Sequence, residues 1–398
     1  MLRVNGKGII SDIMKIGIFT ESFLPQVNGV VTAVCTSAKA LSESHDVKIF
    51  TVGNGVDKAS GCDVIRFRGM NLPTYKGYKF FVPSKDMWKR LTDIRLDIVH
   101  VRSSVAFGLI ALRFARKRGI PIIGTLDTPI SDYVHYVPLL GKMQSARNVL
   151  SGTALKYMVW YYNKCNAVIV PSKVTADWLQ GIGCDSKIIV LSNGVDTNRF
   201  NPNERSNSLR KELGIDKELV LLHVGRITKE KSVGILIKAA NTLKEDGRQF
   251  KLVIAGKGPA LSSLKREAKL LGIDDCVSFA GFVPDKELPK YYASADAFVT
   301  ASPVETEGIV MLEAMASGLP VIGTDAGAIP EIVRDGANGF VFHPDDHNAL
   351  AGDIIRLMDK KRLRHMSASA LKTSRKYSID KTIKGLEKMY SELVKAND

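Results

Sequence analysis

The chain has 398 residues, 45% of them hydrophobic and 24% charged. That composition excludes a disordered chain, and the length suits two domains at about 100–200 residues each. The 56 basic residues outnumber the 41 acidic ones, and the resulting +15 points to anionic partners: nucleic acid, a membrane surface or phosphorylated small molecules.

Apolar strand, loop and helix alternate along the chain. Ile16–Thr20 reads as a buried strand, and Gly29–Leu41 has helical spacing. Val47–Val52, Val64–Phe67 and Ile98–Val101 are strand-like, Phe107–Lys117 is helical, and Ile120–Thr125 is another strand. Gln144–Lys164 reads as a long helix, followed by strands at Ala167–Val170 and Ile188–Leu191. The polar stretch Ser192–Asn203, with Pro202, reads as an interdomain connection. The alternation then restarts, with strands at Leu219–Val224, Leu252–Ala255, Val277–Ala280, Ala297–Thr300, Val321–Thr324 and Phe340–Phe342. From about Asp345 the chain is helical. The pattern predicts an α/β protein of two doubly wound, Rossmann-like domains, each taking ligands at the carboxyl ends of its strands. The expected division is 1–193 and 194–377, with 378–398 a final helix. Met14–Phe19 reads like a natural chain start, which leaves 1–13 as an extension or a misplaced start.

The charge excess belongs to the first half. Residues 1–195 hold 25 basic and 13 acidic residues, whereas 196–398 hold 31 and 28. The five cysteines (Cys35, Cys62, Cys165, Cys184, Cys276) form no CxxC and lie at no zinc-like spacing from histidine. They read as reduced, mostly buried thiols of an intracellular protein. The start lacks a signal-peptide pattern, and no apolar run approaches the roughly 18 residues of a membrane span.

Four loops carry chemistry. Asn28-Gly29-Val30 lies between the first strand and a helix, where Gly29 lets helix N-terminal amides approach an anion. On these residues alone a tight strand–helix turn is the better explanation. Gly225-Arg226 and Lys231 follow a strand and precede the helical stretch Ser232–Leu243. Two cations so spaced can converge on one diphosphate, Arg as a fork and Lys as a point charge. Lys231 opposes the helix dipole, so a structural motive for it is weak, and a solvated basic loop is the alternative. In Ser302–Gly318, Glu305 sits in a loop, Gly308 opens backbone amides to a ligand, and Glu313 falls in the next helix. Carboxylates suit sugar hydroxyls, although either one alone fits a helix-dipole effect. In Ala255–Pro259, Gly256 permits close backbone approach, as does any strand–helix turn there.

These marks occur together and in order, and they resemble the retaining glycosyltransferases of family 4, which have the GT-B fold. The similarity covers essentially the whole chain from Met14. Ser192–Asp196 and Ala255–Pro259 also resemble family segments. Glu305-Thr306-Glu307-Gly308 followed by a helix most resembles the branch that glycosylates membrane lipids such as diacylglycerol or phosphatidylinositol.

The resemblance implies a hexosyltransferase that moves a sugar from a nucleoside-diphosphate donor of the UDP-glucose or GDP-mannose type, forming an α-glycosidic bond. Asn28, Gly29 and Val30 would face the donor, with Gly225 and Gly256 lining its site. Arg226 and Lys231 would neutralise the leaving diphosphate. Glu305 would hold sugar hydroxyls, helped by Thr306, Glu307, Gly308, Ile309 and Val310, and Glu313 would hold the ribose. Gly281-Phe282-Val283 would sit by the base. Retention is explained by front-face attack, which needs no carboxylate nucleophile. No Asp-x-Asp motif is present, so no metal ligand is assigned and no motif requires magnesium. GT-B members commonly end in a helix that crosses back to the first domain, and the apolar spacing of Ser378–Val394 suits one. Domain closure would then carry the Arg226/Lys231 loop towards Gly29.

The sequence departs from the family twice. Asp127 stands where a histidine is common, and could accept a hydroxyl hydrogen bond or act as a base. Arg102 stands where a second histidine is common, and would suit an anionic headgroup or pair with a nearby carboxylate.

Basic residues interleave with aromatics across residues 64–95: Tyr78, Phe80, Phe81, Lys85, Trp88, Lys89 and Arg90 form the centre of the run. Such a face suits an anionic lipid surface and a peripheral, cytoplasmic location, or else an ordinary helix with a solvated face. Rival readings are transfer to a soluble or polysaccharide acceptor, nucleotide-sugar epimerisation, and nucleic-acid binding. No recognition helix, zinc finger or RNA-binding aromatic motif supports the last.

Overall fold

The computed structural model describes residues 3–4, 10–11, 13–26, 28–71, 79–81, 83, 85–127 and 144–397. They form two compact units: 1–193 together with 379–398, and 194–378.

In the first unit the strands are β1 (Arg3–Val4), β2 (Ile10–Ser11), β3 (Lys15–Phe19), β4 (Asp46–Val52), β5 (Lys58–Ala59), β6 (Cys62–Phe67), β7 (Gly69–Asn71), β8 (Lys79–Phe81), β9 (Ile98–Val101), β10 (Ile122–Thr125), β11 (Ala167–Val170) and β12 (Ile188–Val190). Eight of them make one sheet in the order β12-β11-β10-β9-β3-β4-β6-β5. Every pairing in it is parallel except β5 with β6. The central strands are continuous apolar runs because helices cover both faces. The sequence pattern missed three local antiparallel pairings among the described residues, β1 with β2, β5 with β6 and β7 with β8. Each involves a strand too short to show a period.

The final helix, Ile379–Lys395, belongs to this first unit. Its stripe of Ile379, Ile383, Leu386, Met389 and Tyr390 shares a core with Ile16, Val34 and Leu41. Thr382 donates to the Ser192 carbonyl at 2.9 Å. Tyr390 OH lies 2.6 Å from His100 Nδ1, and Thr125 Oγ1 lies 2.6 Å from His100 Nε2. Burial pushes the His100 imidazole down to about 3, so the ring is neutral and one of its nitrogens donates while the other accepts.

The second unit contains β13 (Leu219–Val224), β14 (Phe250–Ala255), β15 (Val277–Gly281), β16 (Ala297–Val299), β17 (Val321–Thr324) and β18 (Gly339–Phe342). All pairings are parallel, in the order β15-β14-β13-β16-β17-β18. Strand order reverses between β13 and β16, and in the first unit between β3 and β9. Ligands of such sheets bind at the carboxyl ends of the strands flanking the reversal.

Candidate functional site

The loops that leave β13 and β16 meet at the reversal of the second sheet. After β13 the chain runs through Gly225–Thr228 into a 3-10 turn, Lys229–Lys231, and then the helix Val233–Glu245. Ser232 joins the two with φ 47 and ψ 35, a left-handed conformation that favours glycine. The turn places Lys231 just before the helix, and its Nζ lies 2.5 Å from Glu305 Oε1. This pair brings together two side chains 74 residues apart that the sequence singled out separately. Both are largely shielded, at 20% and 15% exposure. Arg226 is more open and lies 3.9 Å from Glu230.

The β14 loop braces the β13 loop. Gly225 N donates to Ala255 O and Ile227 N to Lys257 O, both at 3.0 Å, while Gly256 N donates to Gly281 O at 2.6 Å. Glycine is required for this contact. A Cβ at Gly256 would stand 1.8 Å from the Gly225 carbonyl oxygen. The close approach expected of Gly256 is therefore to the neighbouring loop.

On the β16 side, Glu305 is held by its own backbone, whose carbonyl accepts from Ala328 N at 2.9 Å. Glu307 is buried, and Gly308, at φ 80, caps the helix Ile309–Ala316. Thr306, Ile309 and Val310 complete the connection. Glu313 is buried, its carboxylate accepts from Tyr292 OH at 2.8 Å, and burial pushes it up to about 7. At the end of β15, Gly281 has φ 68 and the Phe282 ring is 47% exposed, with Lys257 Nζ 5.7 Å from its centroid. The Val283 side chain is in the core, so only its backbone is left to face a ligand.

The structure revises several expectations in the first unit. Arg102 and Asp127 are not presented to a ligand: they form a buried, two-pronged ion pair at 2.9 and 2.6 Å. Asn193 completes the network, accepting from Arg102 at 2.6 Å and donating to Asp127 at 3.1 Å. In the structure the guanidinium takes the carboxylate-partner alternative, and both Asp127 oxygens accept hydrogen bonds. Asn28 serves as the cap of the helix Gly29–Leu41, accepting from Val31 N at 3.0 Å, while its amide donates to Ser22. Gly29 and Val30 are the first residues of that helix.

Phe81 is buried against Phe107, with ring centroids 5.2 Å apart, and does not face a surface. Trp88 is half-buried, with the Arg113 guanidinium over its ring at 5.5 Å. Lys89 and Arg90 are exposed. Tyr78 and the side chains of Phe80 and Lys85 lie outside the described residues.

Two residues were missed. Glu21 spans the β3/β9 reversal, accepting from Phe107 N at 2.8 Å and Ser103 Oγ at 3.1 Å, and burial pushes it up to about 7. His223 lies on the floor of the second reversal. Glu21 lies in the polar Thr20–Ser22 stretch after β3 and His223 is the one polar residue of β13, both visible but unspecific signals.

The family described as Glycosyltransferase Family 4 matches residues 27–199, and that described as Glycosyl transferases group 1 matches 205–373. The chain is 33% identical over 358 residues to an alpha-monoglucosyldiacylglycerol synthase of Streptococcus pneumoniae, covering 87% of this chain and 78% of that one. It is 30% identical to the enzyme of the same name from Acholeplasma laidlawii, covering 97% and 98%. A GDP-mannose-dependent alpha-mannosyltransferase of Corynebacterium glutamicum is 30% identical, covering 90% and 84%. Anabaena HepE, solved in complex with UDP and glucose, shares the fold with a TM-score of 0.78 at 21% identity, covering 96% of this chain and all of that one.

Proposed function

The chain belongs to the family 4 glycosyltransferases and, on that premise, we propose that it transfers a hexose, with retention, from a nucleoside-diphosphate sugar to a hydroxyl of a membrane lipid. The observation that carries the reading is the Lys231–Glu305 pair at the β13/β16 reversal, with Arg226 on the same loop.

The chemistry follows from the charges. The bond from the anomeric carbon to the diphosphate oxygen breaks, its electrons go to that oxygen, and positive charge grows on the sugar. The acceptor oxygen bonds the same face of the anomeric carbon, and its proton passes to the leaving phosphate. Fixed cations aimed at the leaving oxygen act most strongly in the transition state. Lys231 and Arg226 supply them. Glu305 exchanges its ammonium partner for sugar hydroxyls, which turns Lys231 towards the phosphate. Glu313 receives the ribose hydroxyls, and Phe282 flanks the base.

The lipid acceptor rests on the names of two relatives and on the basic first half. Lys89, Arg90, Arg113, Arg116 and Lys117 are exposed, with Arg113 over the half-buried Trp88, which suits peripheral attachment to an anionic surface. Among the described residues no helix is long and apolar enough to cross a membrane.

The test is transfer of labelled sugar from UDP-glucose or GDP-mannose to diacylglycerol in anionic vesicles, with soluble sugars as rival acceptors. Lys231→Ala should lower turnover about 10²–10³-fold, the loss typical of one oxyanion donor. Near-normal turnover in that variant defeats the assignment. Failure to co-sediment with the vesicles at low salt defeats the membrane reading.

A further inference from the structure

Strand β13 reads Leu-Val-Leu-Leu-His-Val, so His223 is a polar residue in an aliphatic strand. It is 2% exposed, and its ring lies nearly parallel to that of Phe298, with centroids 6.3 Å apart. Nδ1 lies 3.0 Å from the Val299 carbonyl oxygen, so the ring bridges β13 and β16 at the reversal. A carbonyl only accepts, so Nδ1 carries the proton and Nε2 presents a lone pair. That Nε2 is buried without a hydrogen-bond partner.

A buried orphan acceptor carries a penalty, and in a native protein it calls for a cause. Its position supplies one. A Cβ at Gly225 would stand 3.5 Å from Nε2, which puts the lone pair beneath the turn that leads to Lys231. The two charges felt at the ring are those of Lys231 and Glu305. Burial, aided by the Lys231 charge, pushes the imidazole down to about 4 against the opposing pull of Glu305. The ring is thus neutral at physiological pH. Nε2 has almost no exposed surface, so a ligand does not reach it directly. Lys231, whose charge is felt at the ring, stands on the turn that follows Gly225.

We propose that His223 is a positioning residue. When the donor sugar takes the Glu305 carboxylate, Nε2 accepts one N–H of the Lys231 ammonium and holds the remaining N–H groups on the diphosphate. The inference rests on the reading of Lys231 as the diphosphate cation, and it adds an acceptor that steers that cation.

The test separates the two ring nitrogens. His223→Asn keeps a donor near Nδ1 for the Val299 carbonyl and removes the acceptor at Nε2. His223→Gln extends an acceptor towards the Nε2 position. In the full chain, with UDP-glucose and GDP-mannose as donors, His223→Asn should lower kcat about 10- to 100-fold, the worth of one hydrogen bond to a charged group, and change KM far less. His223→Gln should recover most of the loss. In a Lys231→Ala background, His223→Asn should cost nothing further, because the residue it serves is gone. Normal kcat in His223→Asn, a Gln variant as poor as Asn, or full additivity with Lys231→Ala would each overturn the proposal. Unimpaired turnover in Lys231→Ala alone would instead overturn the cation reading. A readout independent of the variants' folding is the Nε2 nitrogen resonance of histidine-labelled wild-type chain. It should shift upfield when a donor binds, and no shift with either donor at saturation refutes the contact.

Discussion

Gly256→Ala is the sharpest test of how the loop after β13 is held. The new Cβ would meet the Gly225 carbonyl oxygen at 1.8 Å, whereas carbon and oxygen settle no closer than about 3.3 Å. The Gly225 turn must therefore retreat by roughly 1.5 Å, since the obstacle is backbone and no rotamer relieves it. That movement strains three backbone bonds: Gly225 to Ala255, Ile227 to Lys257, and Gly256 to Gly281. At about 1 kcal/mol each, the variant should lose roughly 3 kcal/mol in urea unfolding. The same shift carries Arg226 and Lys231 out of line, and a displacement of about 1 Å is worth roughly 10²-fold in rate. Turnover of UDP-glucose or GDP-mannose, measured well below the unfolding transition, should fall by that factor. Gly234→Ala is the matched control, because its Cβ would meet nothing nearer than Leu264 at 3.7 Å. A Gly256→Ala protein with a wild-type urea midpoint and wild-type turnover would refute the bracing argument.

Other outcomes follow from the same geometry. Glu313 holds its proton to about 7 when folded, against an ordinary 4.5. Between those values the folded chain binds the extra proton, so stability falls as pH rises, by up to about 3 kcal/mol. Glu313→Gln should flatten that slope in unfolding measured across the window, and an unchanged slope would clear Glu313 of causing it. Asp127→Asn leaves the Arg102 charge enclosed without its counter-ion and should destabilise the chain by about 3–5 kcal/mol. A urea midpoint equal to wild type would show that the pair is not buried as described. Ser232→Gly relieves a left-handed residue and should raise stability by about 0.5–1 kcal/mol, read as a higher Tm. A lower Tm would mean the serine side chain gives more than its backbone loses.

The sheets were legible in the sequence because their strands are buried on both faces and read as unbroken apolar runs, as in Ile98–Val101 and Ala167–Val170. What escaped was direction. Phe81 lies among basic residues and reads as an interfacial aromatic, yet its ring points into the core, and nothing in residue order distinguishes the two. Arg102 was open to pairing with a nearby carboxylate, but that the carboxylate is Asp127, across adjacent strand ends, was not visible. Gly256 announced a close approach without saying to what. Lys231 and Glu305 were chosen as chemistry-bearing residues from different loops, and the β13/β16 reversal is what brings them to 2.5 Å. His223 carries no specific sequence signal of its own, because one histidine in an aliphatic strand is most often a satisfied core residue. Only the orphaned Nε2 separates it from that class.

The first unit is discontinuous along the chain: its last helix, Ile379–Lys395, is made only after the whole of residues 194–378. During synthesis, Ile16, Val34 and Leu41 wait without the apolar stripe that completes their core, and His100 waits without Tyr390. The second unit is continuous and can close first, although it is translated later. A nascent chain that stops short of residue 379 therefore carries a finished second unit and an unfinished first unit with an open apolar face, the kind of surface that chaperones and proteases recognise.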